Sequence, residues 1–391
     1  MKRLYSILCT TFLVAACYSP EPFVAESDDE PSDKTSEMGT LYPVNSQKQI
    51  CNPSVSLDTV NFPASMLWLN FGGVLNVTAK DPAYTTKRVI QHDRLTISDN
   101  KGNVRWFVMR DVGAGECQFQ DPEWSTHANF IVALRGYDIN GKTSCENLDY
   151  GIFATRLSDS KRFWFFEKEI GEFATPHLWV GEPQALSDDA SSDSASGNST
   201  VEGFFGTNDV RLTYVTDDNK IAFFDYADGG KKKTLKKPSD RSSWEIDSPL
   251  ISPDGKFVVY NMLENPSTWE AYVQELSTSS NAMKIERVDG MMSEPAQPHW
   301  YSDGSDLFVV WAEFPAGSQM LNKNDLTVES VQEGSVGRTV MREVSLKTGD
   351  TKLKWNGEVR ELAPVPMTGG LSPDGKYLAT GTNLAYILEL P

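Results

Sequence analysis

The chain has 391 residues, 54 acidic against 36 basic for a net charge of -18, and 39% hydrophobic with 11% aromatic residues. That apolar content suffices for a packed core, while the acidity excludes binding of DNA, RNA or anionic lipid through the body of the fold, since those partners reward clustered Lys and Arg. The one basic run, Lys231-Lys232-Lys233-Thr234-Leu235-Lys236-Lys237, is expected at a solvated hairpin end.

Met1-Lys2-Arg3 leads into a mostly apolar run, Leu4 to Ala16. The run is too short to cross a bilayer, which takes about 20 residues, and has the basic end and apolar centre of a cleaved secretory signal. Its last residues, Val14-Ala15-Ala16-Cys17, resemble the lipobox of bacterial lipoproteins: an aliphatic residue, two small ones, then the cysteine that is acylated. The resemblance implies a signal peptide over 1–16, lipid on Cys17 as the membrane contact and, with Tyr18 next, sorting to the outer membrane. An ordinary signal peptide with a chance cysteine beside an Ala-x-Ala site is the alternative. Cleavage removes Lys2 and Arg3 and takes the charge from -18 to -20.

Residues 17–39 read as a flexible acidic tether: Tyr18 to Met38 holds seven acidic residues, one lysine and three prolines, with no apolar periodicity.

Residues 40–391 read as an all-β domain, with short β-branched and aromatic runs bounded by Gly, Asp, Asn and Pro. Arg94-Leu95-Thr96-Ile97 turns into Val104-Arg105-Trp106-Phe107-Val108, and Arg211 to Val215 turns at Asp217-Asp218-Asn219 into Ile221 to Phe224. Above the hairpins lies a repeat. Ser252-Pro253-Asp254-Gly255-Lys256 precedes Phe257-Val258-Val259-Tyr260, and Ser372-Pro373-Asp374-Gly375-Lys376 precedes Tyr377-Leu378-Ala379-Thr380. Ser302-Asp303-Gly304 after His299-Trp300 is a degenerate copy, Trp124-Ser125-Thr126-His127 has lost the Asp-Gly, and Thr207-Asn208-Asp209 is a weak fifth. Asp bonds its own backbone and Gly supplies positive φ, so each copy marks a tight turn between two strands. The steps are 45 residues from Asp209 to Asp254, 49 to Asp303 and 71 to Asp374, the excess of the last falling in the insertion Pro315 to Gly337.

The phrase Pro-x-Trp-Ser-Pro-Asp-Gly-Lys before an apolar strand resembles the TolB-type β-propeller repeat, over roughly Asp121 to Pro391, with Asp58 to Gly115 assigned to the same fold by its hairpins alone. The spacing fits four-stranded blades of about 40 to 50 residues. Six blades are expected, five or seven being the neighbouring counts, and a β-sandwich of unrelated hairpins is the alternative fold. The chain ends on what reads as the third strand of its unit, so Thr40 to Val60 is expected to supply the missing outer strand and close the ring. The TolB family carries a further N-terminal α/β domain, for which no room is expected between Cys17 and the first strands, so the family's own role is not carried over.

Chemistry is sparse. Cys117 and Cys145, 28 residues apart within one repeat, are the expected disulfide of an oxidising compartment. There is no Gly-x-Ser-x-Gly, no phosphate-cradling glycine loop, and none of His92, His127, His177 and His299 stands at metal-ligand spacing. No catalytic residue, metal or cofactor is assigned. Asp138-x-Asn140-Gly141 and Asp217-Asp218-Asn219 lack the downstream bidentate acid of a calcium loop and read as turns. Glu123, Asp247, Glu294 and His299 fall near inner-strand phrases and are the candidate ligand-facing residues of the channel mouth, with rim charges and structural histidine as the bland alternatives. Ten tryptophans, the insertion and Gly290-Met291-Met292 offer contact surface, although most of the tryptophans must be core. The expectation is a lipid-anchored envelope propeller that binds or scaffolds a protein or glycan; the competing reading is a carbohydrate-binding or glycoside-cleaving lipoprotein on the same fold, whose carboxylates would come from different blades.

Overall fold

The computed structural model describes residues 34–36, 39–44, 50–70, 92–140, 145, 147–182, 200–265, 268–317, 337–345, 353–381 and 385–391. The signal, Cys17, the tether up to residue 33 and most of the Pro315 to Gly337 insertion lie outside them.

The described strands form six four-stranded antiparallel sheets. The chain enters through β1 (Lys34–Ser36) and β2 (Gly39–Pro43), then builds blade 1 from β3 (Ile50–Val55), β4 (Ser65–Asn70), β5 (Arg94–Asp99) and β6 (Val104–Met109). Blade 2 is β7 (Glu116–Trp124), β8 (Phe130–Asp138), β9 (Leu148–Arg156) and β10 (Arg162–Ile170). Blade 3 is β11 (His177–Val180), β12 (Val210–Val215), β13 (Ile221–Asp225) and β14 (Lys233–Thr234), with α1 (Val201–Phe205) between its first two strands. Blade 4 is β15 (Glu245–Ile251), β16 (Phe257–Asn265), β17 (Thr268–Glu275) and β18 (Met283–Lys284); blade 5 is β19 (Ser293–Ser302), β20 (Leu307–Pro315), β21 (Arg338–Ser345) and β22 (Lys354–Ala363). Each of these sheets keeps chain order, and their first strands contact one another in succession around the ring. This is the six-bladed propeller expected from the repeat.

Blade 6 joins the two ends of the chain. Its order is β1-β2-β24-β23, where β23 is Tyr377–Thr380 and β24 is Tyr386–Glu389. The stretch before β23 acts as the inner strand: the Thr368 amide bonds the Ala379 carbonyl at 2.9 Å, the Ala379 amide bonds Gly370 at 3.1 Å, and Leu371 bridges Leu378. β24 is therefore the third strand and β2 the fourth, with Leu41 opposite Leu388 and the Val44 amide on the Ala385 carbonyl at 2.9 Å. Only the start of the Thr40 to Val60 stretch does this. Ile50–Val55 is buried at nearly every position and becomes the inner strand of blade 1 instead. β1 falls within the stretch read as tether and pairs outside β2 through Thr35 and Thr40.

The repeated turns have one construction. In blade 4 the Ser252 hydroxyl meets Asp254 Oδ1 at 2.5 Å and accepts the Phe257 amide at 3.0 Å; in blade 6 Ser372 does the same to Asp374 at 2.6 Å and from Tyr377 at 2.9 Å. Gly255 and Gly375 take φ of 72° and 70°, open to glycine at no steric cost. The turn is also a latch between blades, because the Trp179 indole of blade 3 donates to the Pro253 carbonyl at 2.8 Å and Arg211 lies over the Trp179 ring.

The core is divided among the interfaces between blades. Phe130, Phe163, Phe204, Phe205 and Leu212 fill the space between blades 2 and 3. Helix α1 brings in two of these, started by Thr200, which accepts the Gly203 amide, and stopped by Gly206 in the left-handed region. Trp68, Trp124, Trp269 and Trp311 are fully buried. The basic run lies at the solvated end of the β13–β14 hairpin, as expected, and continues into the outer strand β14 and its exit, with the Lys232 and Lys233 ammonium groups over Tyr214 and Phe223. Lysine stems cover apolar surface while the charge stays wet and keeps a sheet edge from pairing further. Cys117 and Cys145 form a disulfide that ties β7 to the β8–β9 connection.

Candidate functional site

One residue per blade on the innermost run of chain takes a left-handed backbone conformation: Asn52 (φ 49°), Asp121 (44°), Thr175 (40°), Ser248 (50°), Gln297 (50°) and Gly370 (98°). In four blades it sits in a break of strand register, between Cys51 and Ser54, Gln120 and Glu123, Asp247 and Leu250, and Ala296 and His299. A bulge of this kind re-aims side chains and leaves backbone groups unpaired within the sheet. Five of the six residues are not glycine, so each conformation carries a cost on the order of 1–3 kcal/mol that its surroundings must offset.

The offset comes from hydrogen bonds between blades. The Asn52 side-chain amide donates to Asp121 Oδ1 at 2.8 Å, linking blades 1 and 2. The Thr175 amide, at the entry to blade 3, also bonds the Asp121 carboxyl. The Ser248 amide of blade 4 donates to the Thr175 hydroxyl at 3.2 Å. Two residues further along the same strands, the Ser54 hydroxyl bonds Glu123 and accepts the Trp124 amide at 3.1 Å. His177 continues that second tier: its Nδ1 accepts the Ile251 amide at 2.9 Å, and it faces His299, whose Nδ1 lies 3.0 Å from the Gln297 carbonyl. Between blades 6 and 1 the Val55 amide reaches the Gly369 carbonyl at 2.6 Å.

Carboxyl groups gather on this ring. Burial, reinforced by the nearby Asp247 charge, pushes Asp121 up to about 7. Burial likewise pushes Glu123 up to about 8 and raises Asp247 and Glu172. Glu172, just ahead of Thr175, faces the Tyr150 hydroxyl, which in turn accepts from Gln118 at 2.7 Å. The imidazoles go the other way: burial lowers His92 to about 4, His177 to about 3 and His299 to about 4, so they stay neutral. The ring thus offers carboxyls whose pKa burial raises, amides, hydroxyls and neutral imidazoles, a surface built for hydrogen bonding. Among the described residues no group of three His, Cys, Asp or Glu side chains is arranged to hold a metal ion.

Of the four residues expected at the mouth, Glu123, Asp247 and His299 belong to the ring. Glu294 does not join them: it lies at the start of β19, 4% exposed, with Arg287 3.6 Å away. Asp121, Glu172, Asn52, Ser54, Thr175 and His177 were not singled out by the sequence. A signal existed, since Asn52, Asp121 and Ser248 each stand four residues before a turn serine, Ser56, Ser125 and Ser252. Ser56 and Asp58 are an unrecognised copy of that turn in blade 1, where the Asp58 amide bonds the Ser56 hydroxyl at 3.0 Å and Asp58 Oδ1 accepts the Val60 and Asn61 amides at 2.8 Å.

No family model and no curated protein matches the chain. Solved structures to which it is similar include TolB from Acinetobacter baumannii, at 14% identity and a TM-score of 0.44, covering 84% of this chain and 64% of that one. Others are the Kuenenia stuttgartiensis hydrazine synthase (13%, TM-score 0.39, 94% and 80% covered) and the Cps50 (Swd1) β-propeller domain of Myceliophteria thermophila (9%, TM-score 0.40, 90% and 100% covered). The chain therefore spans less than two thirds of the Acinetobacter TolB chain. The propeller assignment rests on the strand pairing described above, and what those proteins bind or catalyse is not transferred.

Proposed function

We propose that this chain is a lipoprotein of the bacterial cell envelope, anchored through Cys17 to the outer membrane, whose propeller binds or scaffolds a protein or other envelope ligand at the carboxyl-lined ring of inner-strand bulges. The observation that carries the binding site is the convergence of Asp121, Glu123, Asp247 and Glu172 from three consecutive blades onto one ring. A rigid scaffold that aims polar groups toward its axis is how propellers present ligand sites without altering the blades. The signal-like start and the Val14-Ala15-Ala16-Cys17 sequence support the anchor.

Two measurements test the two halves. Wild-type protein should stay with membranes through a salt wash and incorporate a fatty-acid probe, whereas Cys17→Ser should be soluble and unlabelled with an unchanged melting temperature. A Cys17→Ser protein that remains in washed membranes overturns the anchor. For the site, a partner crosslinked to wild type in whole envelopes should be lost with Asp247→Asn; retention of every partner overturns the mouth as the binding surface.

Carbohydrate is the second ligand class, favoured by the raised carboxyl pKa values. A glycoside hydrolase needs a carboxyl kept protonated near neutral pH as general acid, and Asp121 and Glu123 are such groups. Glycan binding without cleavage, or cleavage abolished by Glu123→Gln, would move the assignment to this class.

A further inference from the structure

The ring carboxyls lie within electrostatic reach of one another around Asp121, with no cation beside them among the described residues. Asp121 is turned toward Asp247 and Glu172, Glu123 toward Asp121, Asp247 toward Glu245, and Glu172 toward the Tyr150 hydroxyl. The other groups against them are the Asn52 amide, the Ser54 hydroxyl, the Thr175 and Trp124 amides, and the amide and hydroxyl of Ser248. His177, packed on the Trp124 backbone from blade 3, is neutral and faces only the neutral His299. Among the described residues no Lys or Arg takes part. Like charges in a confined, poorly hydrated space cannot all be ionised together, because their repulsion grows as the effective dielectric falls. One Asp121 oxygen, Oδ1, accepts from Asn52, while the other, Oδ2, is buried with no hydrogen-bond partner among the described residues, which is the place for a bound proton.

We propose that this ring is a proton-operated clasp: with Asp121 and Glu123 protonated the carboxyls share the mouth without repulsion and the inner strands of blades 1, 2 and 3 stay together, and loss of those protons sets like charges against one another and loosens it. The bonds that the two groups receive are interblade ones; each is donated into a carboxyl oxygen and outlasts ionisation, so the loosening comes from the repulsion alone. Asp121 receives Asn52 from blade 1 and the Thr175 amide at the entry to blade 3, and the Thr175 hydroxyl in turn receives Ser248 from blade 4; Glu123 receives Ser54 from blade 1. Ionisation would place two negative charges on one strand, two residues apart, facing Asp247. The clasp is independent of which ligand the mouth takes.

The sign follows from the raised pKa values. A carboxyl whose pKa is raised on folding contributes its full stability below its unfolded pKa and loses it as pH rises through the folded one. Asp121 and Glu123 therefore weaken the fold between about pH 4 and the values of about 7 and about 8. In that interval the folded-to-unfolded ratio should fall about tenfold per pH unit for each proton retained.

The test compares the full wild-type chain with Asp121→Asn/Glu123→Gln, both measured by chemical denaturation between pH 5 and pH 8. The wild type should lose stability relative to the double variant as pH rises, the other buried groups contributing alike to both. Parallel profiles overturn the clasp. Infrared difference spectra of the wild type alone provide a readout that needs no variant to fold: a protonated-carboxyl C=O band present at pH 6 should vanish by pH 9, and its absence at pH 6 overturns the proposal equally.

Discussion

The side-chain amide of Asn52 crosses from blade 1 to donate to Asp121 of blade 2 at 2.8 Å, and both residues hold left-handed backbone, at φ 49° and 44°. Asn and Asp are the non-glycine residues that enter this region most readily, since their short polar ends can bond locally. Two substitutions separate backbone from side chain. Asn52→Gly keeps the conformation and loses the hydrogen bond, with an expected loss of about 1 kcal/mol. Asn52→Val loses the bond and puts a β-branched residue at positive φ, raising the loss to about 3 kcal/mol. Urea unfolding at one pH measures both, and equal losses would show that the left-handed corner is not what Asn52 provides.

Closure of the ring depends on one glycine. Gly39 has φ 109°, and a Cβ there would collide with the Glu389 carbonyl oxygen of β24. Gly39→Val should therefore push β2 away from β24, unseating Leu41 and Val44 from two core clusters. The expected cost is about 3 kcal/mol, with a new protease-sensitive site in the first residues and a tendency to associate through the uncovered β24 edge. A variant as stable and monomeric as wild type would mean that blade 6 closes without this strand.

The Cys117–Cys145 bond spans 28 residues and fastens the inner strand that carries Asp121 and Glu123. For a loop of that size the chain-entropy relation gives about 3.5 kcal/mol. Cys117→Ser/Cys145→Ser should unfold at correspondingly lower denaturant. No change in the double variant would indicate that neighbouring strand pairing already fixes the connection.

How much of this the sequence carried depends on the range of each interaction. The turns at Ser252 and Ser372 were legible because all their partners lie within five residues and only Asp and Gly chemistry serves them. The fold followed from their spacing, as did the missing fourth strand of blade 6. The ring of bulges was not legible: its six positions are Asn, Asp, Thr, Ser, Gln and Gly, a set with no common side chain, and the bond that explains Asn52 and Asp121 joins residues 69 apart in sequence. Glu294 looked equivalent to Glu123 because both precede a turn. Glu294 stands three residues before the bulge at Gln297, however, whereas Glu123 stands two after the one at Asp121, and that difference puts it beside Arg287 instead of in the ring.

Glu270 supplies the opposite pH signature to the ring. It is 4% exposed, and burial alone would raise its pKa, but a two-pronged bond from Arg241 (2.9 and 3.0 Å), the Lys284 ammonium and the Tyr272 hydroxyl at 2.5 Å outweigh burial and hold the pKa at about 2. A depressed carboxyl contributes stability that is present above its unfolded value, near 4.5, and lost as pH falls through the folded value. Arg241 and Lys284 are 28% and 41% exposed, so solvent screens part of the attraction and the contribution is about 1–2 kcal/mol. Glu270→Gln should cost that much at pH 6 and nothing near pH 2, where the wild-type group is itself taking up a proton. The difference between the two unfolding curves should close over the acid range alone, while the ring carboxyls alter stability at neutral pH and above pH 4. A deficit in Glu270→Gln that persists undiminished at pH 2 would mean that the glutamate acts through packing, not through charge.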